Sequence, residues 1–279
     1  MLRKIFTLPL KILYSSFFAL ERFYEWILPL RYHRTFRSEI IGIIDSDSET
    51  VKHIASDNTE IIFKLHVPNS ICSIRWRTFS SKEEDLLLWI DEFGGDGAFY
   101  DIGSNIGIYS LYYAMSKPGN VYSFEPSAPN TLQLMKNISI NSLHEKIQVF
   151  TNPLNNKSGV NNFSFNEEYG KSNNQFSDVV RDNNVNTLIL GFSLDDLMDF
   201  GFINEPPSLV KIDVDGIDHL ILEGAKKILK LSSCKSVLVE TITNKNYKNI
   251  SAILEECGYY LSNPNSKDNV YNQIWFKKN

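Results

Sequence analysis

Residues 98–125, AFYDIGSNIGIYSLYYAMSKPGNVYSFE, constrain this chain more than any other stretch. Ala98, Phe99, Tyr100 and Ile102 read as a parallel strand buried on both faces, interrupted only by Asp101. A turn with Gly103, Asn105 and Gly107 follows. Then comes a helix with the apolar face Ile108, Leu111, Tyr112 and Met115, which Lys117-Pro118-Gly119 stops. A second strand, Val121 to Phe124, ends on Glu125-Pro126. The stretch is a βαβ unit with a glycine-rich first turn and an acid at the tip of its second strand.

Backbone geometry gives that turn its chemistry. Gly103 and Gly107 carry no Cβ, so a ligand can come close to the main chain, and Asn105 tolerates left-handed dihedrals better than other non-glycine residues. The helix behind the turn presents free N–H groups and a partial positive charge. Glu125 can accept two hydrogen bonds from a ribose diol. The unit therefore suits a nucleoside with a polar or anionic group at the turn; a plain structural turn is the alternative. The glycines fall at 103 and 107 with Asn105 between, so the G-x-G-x-x-G spacing of a dinucleotide fold is not met.

The motif Asp101-x-Gly103-x-Asn105-x-Gly107 resembles motif I of class I S-adenosylmethionine-dependent methyltransferases. Four stretches narrow the resemblance to the FkbM family: Glu84 to Trp89 with Asp91, DIGSNIGIYS at 101–110, FEPSAPN with LMKNISIN, and VKIDVDGIDHLILEGA at 210–225. Together they span roughly residues 80–260. Ser104 stands where the family often has Ala, and Asp215 and Asp218 where Glu is commoner. The resemblance implies an α/β fold, a Rossmann-like, mostly parallel sheet with an antiparallel C-terminal strand and helices on both faces. It implies S-adenosyl-L-methionine as cofactor, held by Asp101, Gly103, Ser104, Asn105, Gly107, Glu125, Pro126 and, after the third strand, Asn152. The acceptor it implies is a saccharide or polyketide-type hydroxyl, such as a sugar of a surface glycan or glycolipid. An NAD-linked oxidoreductase and a non-catalytic binding module of the same fold are the rival readings.

The 279 residues, 43% of them hydrophobic, suffice for one large domain with additions. A formal net charge of −5 gives no general case for nucleic acid. Cys72, Cys234 and Cys257 form no CxxC and sit among apolar neighbours, which reads as reduced core thiols and a cytoplasmic chain. Residues 1–37 carry seven Lys/Arg against Glu21 and Glu25, and Leu10, Leu13, Phe17, Leu20, Tyr24 and Leu28 recur at helical spacing. The uncharged run Ile12–Leu20 is about half of what a bilayer span needs. Three partners suit this basic amphipathic helix: the catalytic domain, a second subunit of a homo-oligomer, or the inner face of a membrane met peripherally through residues 1–30. Residues 38–79 read as a small β element with strands at Glu39–Ile44 and Ile61–Val67, and the methyltransferase domain as residues 80–279. Ser81 with Glu84 reads as the capping box of a helix running to Phe93.

Residues 155–186, rich in Asn and Ser with few aliphatics beyond a strand at Asn162–Phe165 and Val179-Val180, read as an exposed loop, either a lid over the acceptor or an idle insertion. Asp101, Glu125, Asp213 and Glu240 fall at carboxyl ends of predicted parallel strands, the rim where open α/β sheets bind ligands. Methyl transfer to oxygen requires alignment of donor and acceptor and removal of the hydroxyl proton. Asp213 is the first candidate for that role and His219 the second. Asp213, Asp215 and Asp218 could together bind Mg²⁺, but no additional histidine ligand or fixed spacing supports it, and no metal ligand is assigned. Lys211, inside an apolar strand, is expected to reach a carboxylate at the sheet's edge.

Overall fold

The computed structural model describes residues 2–29, 35–165, 167–171, 175–176, 185–214, 216–241, 246–262 and 272–278. The chain divides into two units, Met1–Asp47 and Ser48–Asn279. The first contains helices α1 (Leu2–Ile27) and α2 (Thr35–Asp45). The strand expected at Glu39–Ile44 is therefore a helix. A short β-branched run does not by itself separate strand from helix, and Gly42 does not break this one.

The second unit opens with a hairpin, β1 (Ser48–Ile54) and β2 (Glu60–His66), paired antiparallel. Helices α3 (Ser70–Lys82) and α4 (Glu84–Phe93) follow, meeting at Glu83. Asn69, whose side chain accepts from the Cys72 N–H, caps α3, so Ser81 lies inside a helix rather than at the start of one. The βαβ unit comes next, as β3 (Ala98–Ile102), α5 (Ile108–Ser116) and β4 (Val121–Phe124), with the bounds its sequence pattern predicts. Helix α6 (Ala128–Ile140) leads to β5 (Ile147–Phe150). Ser127 precedes α6 but makes no side-chain cap.

The Asn-rich region is more ordered than its composition suggests. Strands β6 (Gly159–Phe165), β7 (Gln175–Phe176) and β8 (Val185–Gly191) form a separate antiparallel sheet in the order β7-β6-β8. Val179-Val180 lies outside the described residues. Helix α7 (Leu194–Asp199) is capped by Ser193, as its sequence predicts. Strand β9 (Pro207–Ile212) precedes α8 (Asp218–Glu223) and α9 (Lys226–Lys230). The break between these helices falls at Gly224, where a Cβ would stand 2.3 Å from the Asn155 carbonyl. Strand β10 (Ser236–Glu240), α10 (Tyr247–Glu256), β11 (Tyr259–Leu261) and β12 (Asn272–Lys277) complete the unit. The turn expected at Asn263-Pro264-Asn265 lies outside the described residues.

Among the described residues the central sheet has seven strands in the order β11-β12-β10-β9-β3-β4-β5, parallel from β10 to β5 and antiparallel where β12 joins. This is the expected class I methyltransferase sheet. The two middle strands, β3 and β9, are buried at every residue, as strands covered by helices on both faces must be. One core cluster joins Phe63, Phe79, Trp89, Phe99 and Tyr113 on the side of α3–α5. The other joins Tyr100, Phe124, Leu194, Ile221, Leu254 and Trp275 on the opposite face. The hairpin is stitched to α6 by side-chain amides: Asn137 Oδ1 accepts from the His66 N–H (2.8 Å) and Asn141 Oδ1 from the Lys64 N–H (2.7 Å). All three cysteines are buried and free.

Candidate active site

The turn between β3 and α5 is shaped by what stands against it. Gly103 has φ +76°, and a Cβ there would stand 1.9 Å from the Asp213 carbonyl oxygen, so only glycine lets the tips of β3 and β9 lie side by side. Asn105 adopts φ 52°, the left-handed conformation its type tolerates. Gly107, at φ +81°, faces Leu134 of α6, whose Cδ1 would be 2.2 Å from an added Cβ. Gly107 therefore serves helix packing and does not line the cleft. Asn137 completes the support by donating to the Ile106 carbonyl at 2.8 Å.

Above this turn lies an open cleft of about 1120 Å³ in total, solvent side included. Of the residues predicted to hold the cofactor, Gly103, Ser104, Asn105, Glu125, Pro126 and Asn152 line it. Glu125 is buried at the tip of β4, where its Oε2 accepts from the Asn105 N–H (2.8 Å) and its Oε1 from the Ser127 N–H (2.9 Å). Burial pushes its carboxyl up to about 7, while these two N–H donors and the Asn130 side chain pull against the shift. The Ser104 hydroxyl is buried at the turn with no hydrogen-bond partner among the described residues. A buried hydroxyl without a partner, on a turn that glycine keeps clear, fits a polar group arriving from the cleft. Asn152 lines the cleft while its Nδ2 donates to the Leu190 carbonyl at 2.8 Å.

Asp101 has a different role from the one the motif implies. It is fully buried beneath the turn and does not line the cleft. Its Oδ2 accepts from the Ser110 hydroxyl at 2.6 Å, and its Oδ1 lies 3.1 Å from Lys211 Nζ. Lys211 does not reach outward to the sheet's edge. It is buried in the middle of the sheet and also lies 3.5 Å from Asp213 Oδ2. Burial would depress the ammonium, but Asp101, Asp213 and Glu83 together hold it well above its ordinary value, so it stays charged.

Asp213, one-third exposed, lines the cleft at the tip of β9. Desolvation raises its carboxyl, but the Lys211 charge and a hydrogen bond with Glu240 outweigh it and hold Asp213 below the usual carboxylate value. Glu240, at the tip of β10, takes the opposite direction. Burial, the hydrogen bond to Asp213 and the charges of Asp213 and Glu83 push it up to about 9. The two carboxyls thus move apart, Asp213 below and Glu240 above the ordinary carboxylate value. His219 lies on α8 outside the cleft lining, with Nδ1 buried and without a partner among the described residues, so it is not placed to act as base. Asp218 turns back to accept from the Val214 and Gly216 N–H groups, both at 3.2 Å, and orders the loop after β9. Asp215 lies outside the described residues.

Sequence reasoning missed a third side of the cleft. Arg75 and Lys82 of α3, Glu83 at the α3–α4 junction and Tyr109 of α5 all line it. Burial raises the Tyr109 hydroxyl well above its ordinary value, and the neighbouring Glu83 adds to the shift. The available signal was Lys82-Glu83-Glu84, a charged run between two apolar segments. Reading Ser81 as a cap hid the helix break at that point. Among the described residues no group of three or more His, Cys, Asp or Glu is arranged to hold a metal ion.

The profile of the Methyltransferase FkbM domain matches residues 101–261. The chain is 26% identical over 182 residues to hexuronic acid methyltransferase AglP of Haloferax volcanii, covering 65% of this chain and 71% of that protein. Among solved structures it is similar to methyltransferase FkbM from Methylobacillus flagellatus KT, with TM-score 0.46, 16% identity, and coverage of 65% of this chain and 44% of that one. The chain thus spans less than half the length of that protein. It is also similar to precorrin-6y C5,15-methyltransferase from Geobacter metallireducens GS-15, with TM-score 0.45, 13% identity, and coverage of 71% and 90%.

Proposed function

Because the chain belongs to the FkbM methyltransferase family, we propose that it transfers a methyl group from S-adenosyl-L-methionine to a hydroxyl oxygen of a saccharide. The observation that carries this reading is the division of one cleft into two unlike corners. Glu125 and Ser104 stand ready for a nucleoside, and the ionised Asp213 stands across the β3 tip from them. The ribose hydroxyls would donate to Glu125, and the Gly103–Asn105 turn with Ser104 would meet the polar end of the cofactor. Phe124, Leu154 and Phe163 offer apolar surface for the base. When bound, S-adenosylmethionine supplies an electrophilic methyl carbon and leaves as the thioether.

The remaining work falls to the chain. Asp213 orients the acceptor hydroxyl and takes its proton as the oxygen gains its new bond. Lys211 keeps Asp213 ionised until then, and Glu240 donates a hydrogen bond that fixes its orientation. The saccharide acceptor draws support from the name of the 26%-identical relative, a hexuronic acid methyltransferase.

Calorimetry with S-adenosylhomocysteine, with NAD as control, tests the cofactor corner. Binding of the adenosyl ligand alone, lost in Glu125→Ala, is the expected result; binding of NAD instead would overturn the reading. Incubation with S-adenosylmethionine and panels of neutral and uronate-containing saccharides tests the acceptor. A methylated product stable to mild base is an ether and fits a hydroxyl acceptor. A product cleaved by mild base is a carboxyl ester and would overturn that part of the proposal.

The apolar side of α1 supports a second proposal, that this helix rests on an anionic lipid surface. Leu13 is 66% exposed and Leu20 46%, while the exposed Lys11 and Arg22 take the other side of the helix. No helix among the described residues is long and apolar enough to cross a membrane. Sedimentation of the full chain with anionic vesicles should be lost on Leu13→Ser with Leu20→Ser. Unchanged sedimentation, or a dimer in light scattering that the same changes dissolve, would overturn the proposal.

A further inference from the structure

Between β6 and β7 lies a short strap of backbone, Tyr169-Gly170-Lys171, gripped from two sides by residues that border the cleft. From the α3 side, Asn69 Nδ2 donates to the Tyr169 carbonyl at 3.0 Å. Arg75 donates twice to the Gly170 carbonyl, from Nε at 3.0 Å and from Nη2 at 2.8 Å. From the cofactor side, the Gly170 N–H donates to Asn130 Oδ1 at 2.8 Å. The Lys171 carbonyl accepts from Asn130 Nδ2 at 2.9 Å and from Asn105 Nδ2 at 3.2 Å. Both asparagines also serve Glu125, Asn105 through its backbone N–H and Asn130 through its side chain. Gly170 is buried with φ +78°, and a Cβ on it would come 3.2 Å from Ile71 Cγ2 and 3.3 Å from Cys72 Sγ. The strap is thus seated closely on α3.

We propose that Arg75 is a positioning residue for the transfer: by gripping Gly170 it draws the strap onto Asn105 and Asn130, fixes the groups that hold Glu125, and slows escape of the bound nucleoside. The inference rests on the S-adenosylmethionine reading above. Its logic is geometric. The two bonds from one guanidinium converge on a single carbonyl 95 residues further along the chain, a fork that lysine cannot reproduce. Arg75 also lines the cleft, where its charge is among those that lower Asp213, so one side chain touches both the strap and the acceptor corner. Arg75 lies outside the 101–261 match, on a helix that the family profile does not include.

The test is the dissociation rate of S-adenosylhomocysteine by stopped-flow displacement, with its affinity by calorimetry. It uses the full chain as wild type, Arg75→Lys, Arg75→Ala, Gly170→Ala and the Arg75→Ala, Gly170→Ala double variant. Arg75→Ala is expected to release the ligand about tenfold faster, and Arg75→Lys to recover part of that loss. Because both changes cut the same strap, the double variant should release it no faster than the quicker single one. A purely structural role would give additive effects and no recovery by lysine. Rates within about twofold of wild type in Arg75→Ala, or additive effects in the double variant, would overturn the inference. Should Arg75→Ala fail to fold, Gly170→Ala reads the same strap with the arginine in place. Wild type that binds no S-adenosylhomocysteine would sink the cofactor reading and the inference with it. Wild type that binds, with unaltered release in the variants, would sink the inference alone.

Discussion

Glu125 and Asp213 occupy equivalent positions, each just past the carboxyl end of a parallel strand neighbouring β3, yet their carboxyls move in opposite directions. Glu125 is surrounded by neutral donors, the Asn105 and Ser127 N–H groups and the Asn130 amide, and these do not overcome desolvation. Asp213 has the Lys211 ammonium at 3.5 Å, and a full charge does what dipoles do not. One corner is a hydrogen-bonding cradle that a ligand's hydroxyls would complete. The other is a charge cluster already complete within the protein. A strand-tip acid therefore cannot be assigned a role from its position alone; the neighbour that shares its burial decides.

Substitutions that exchange or remove those neighbours should break the contrast. The largest effect is expected from Asp213→Asn, with kcat falling about a thousandfold while S-adenosylhomocysteine binds within about threefold of wild type. Equal loss of binding would assign Asp213 to the cofactor corner. Next comes Lys211→Met, which strands Asp101 as a buried unpaired charge and should cost about 3–5 kcal/mol in urea unfolding. A cost below about 1 kcal/mol would mean that the pair is as weak as a surface one.

The third effect is a pH dependence at Glu125. Its ionised form is the better acceptor for two hydroxyls, so S-adenosylhomocysteine affinity should weaken about tenfold between pH 8 and pH 6, and Glu125→Gln should be flat. The sign for folding without ligand is the reverse. The folded value, about 7, lies above the free value of 4.5, so the native state keeps its proton longer. Stability from this group is complete below 4.5 and is lost as pH rises through about 7, by about 3 kcal/mol in all. The smallest effect belongs to Glu240→Gln. The amide mimics the neutral acid present below about 9, so activity at neutral pH should change only a few-fold. The fall in rate as wild type passes through about 9 should disappear. Persistence of that fall in the variant would assign it to another group.

The parts that could be read from the sequence were those written in local pattern. The βαβ unit, the buried strands β9 and β10 and the Ser193 cap follow from apolar runs, turn residues and capping chemistry within a few positions. Glu125 and Asp213 were found because strand-tip acids can be counted along a chain. What escaped depends on partners far away in sequence. Asp101 looked like a ligand contact, but its partner is Lys211, which only strand pairing brings beside it. Arg75 falls in a stretch that reads as a β element and carries no local signal of its own, and its meaning lies in Gly170. The isoleucines at 40–44 read as strand because β-branching favours strands, and a short run does not by itself separate strand from helix. The Asn-rich stretch, apart from the strand at Asn162–Phe165, reads as a loop because its order comes from backbone pairing of β6 with β8 between residues 159–165 and 185–191, which leaves little hydrophobic period to read.

The strand order at one edge of the sheet has a consequence for assembly. β11 precedes β12 in the chain, but β12 lies between β11 and β10, and among the described residues β11 pairs only with β12. The three residues Tyr259–Leu261 therefore have no template until Asn272–Lys277 has docked on Ser236–Glu240. Amide protons of β11 should be the last of the sheet to gain protection from exchange during refolding and the first to lose it, a zipper end set by topology rather than by composition.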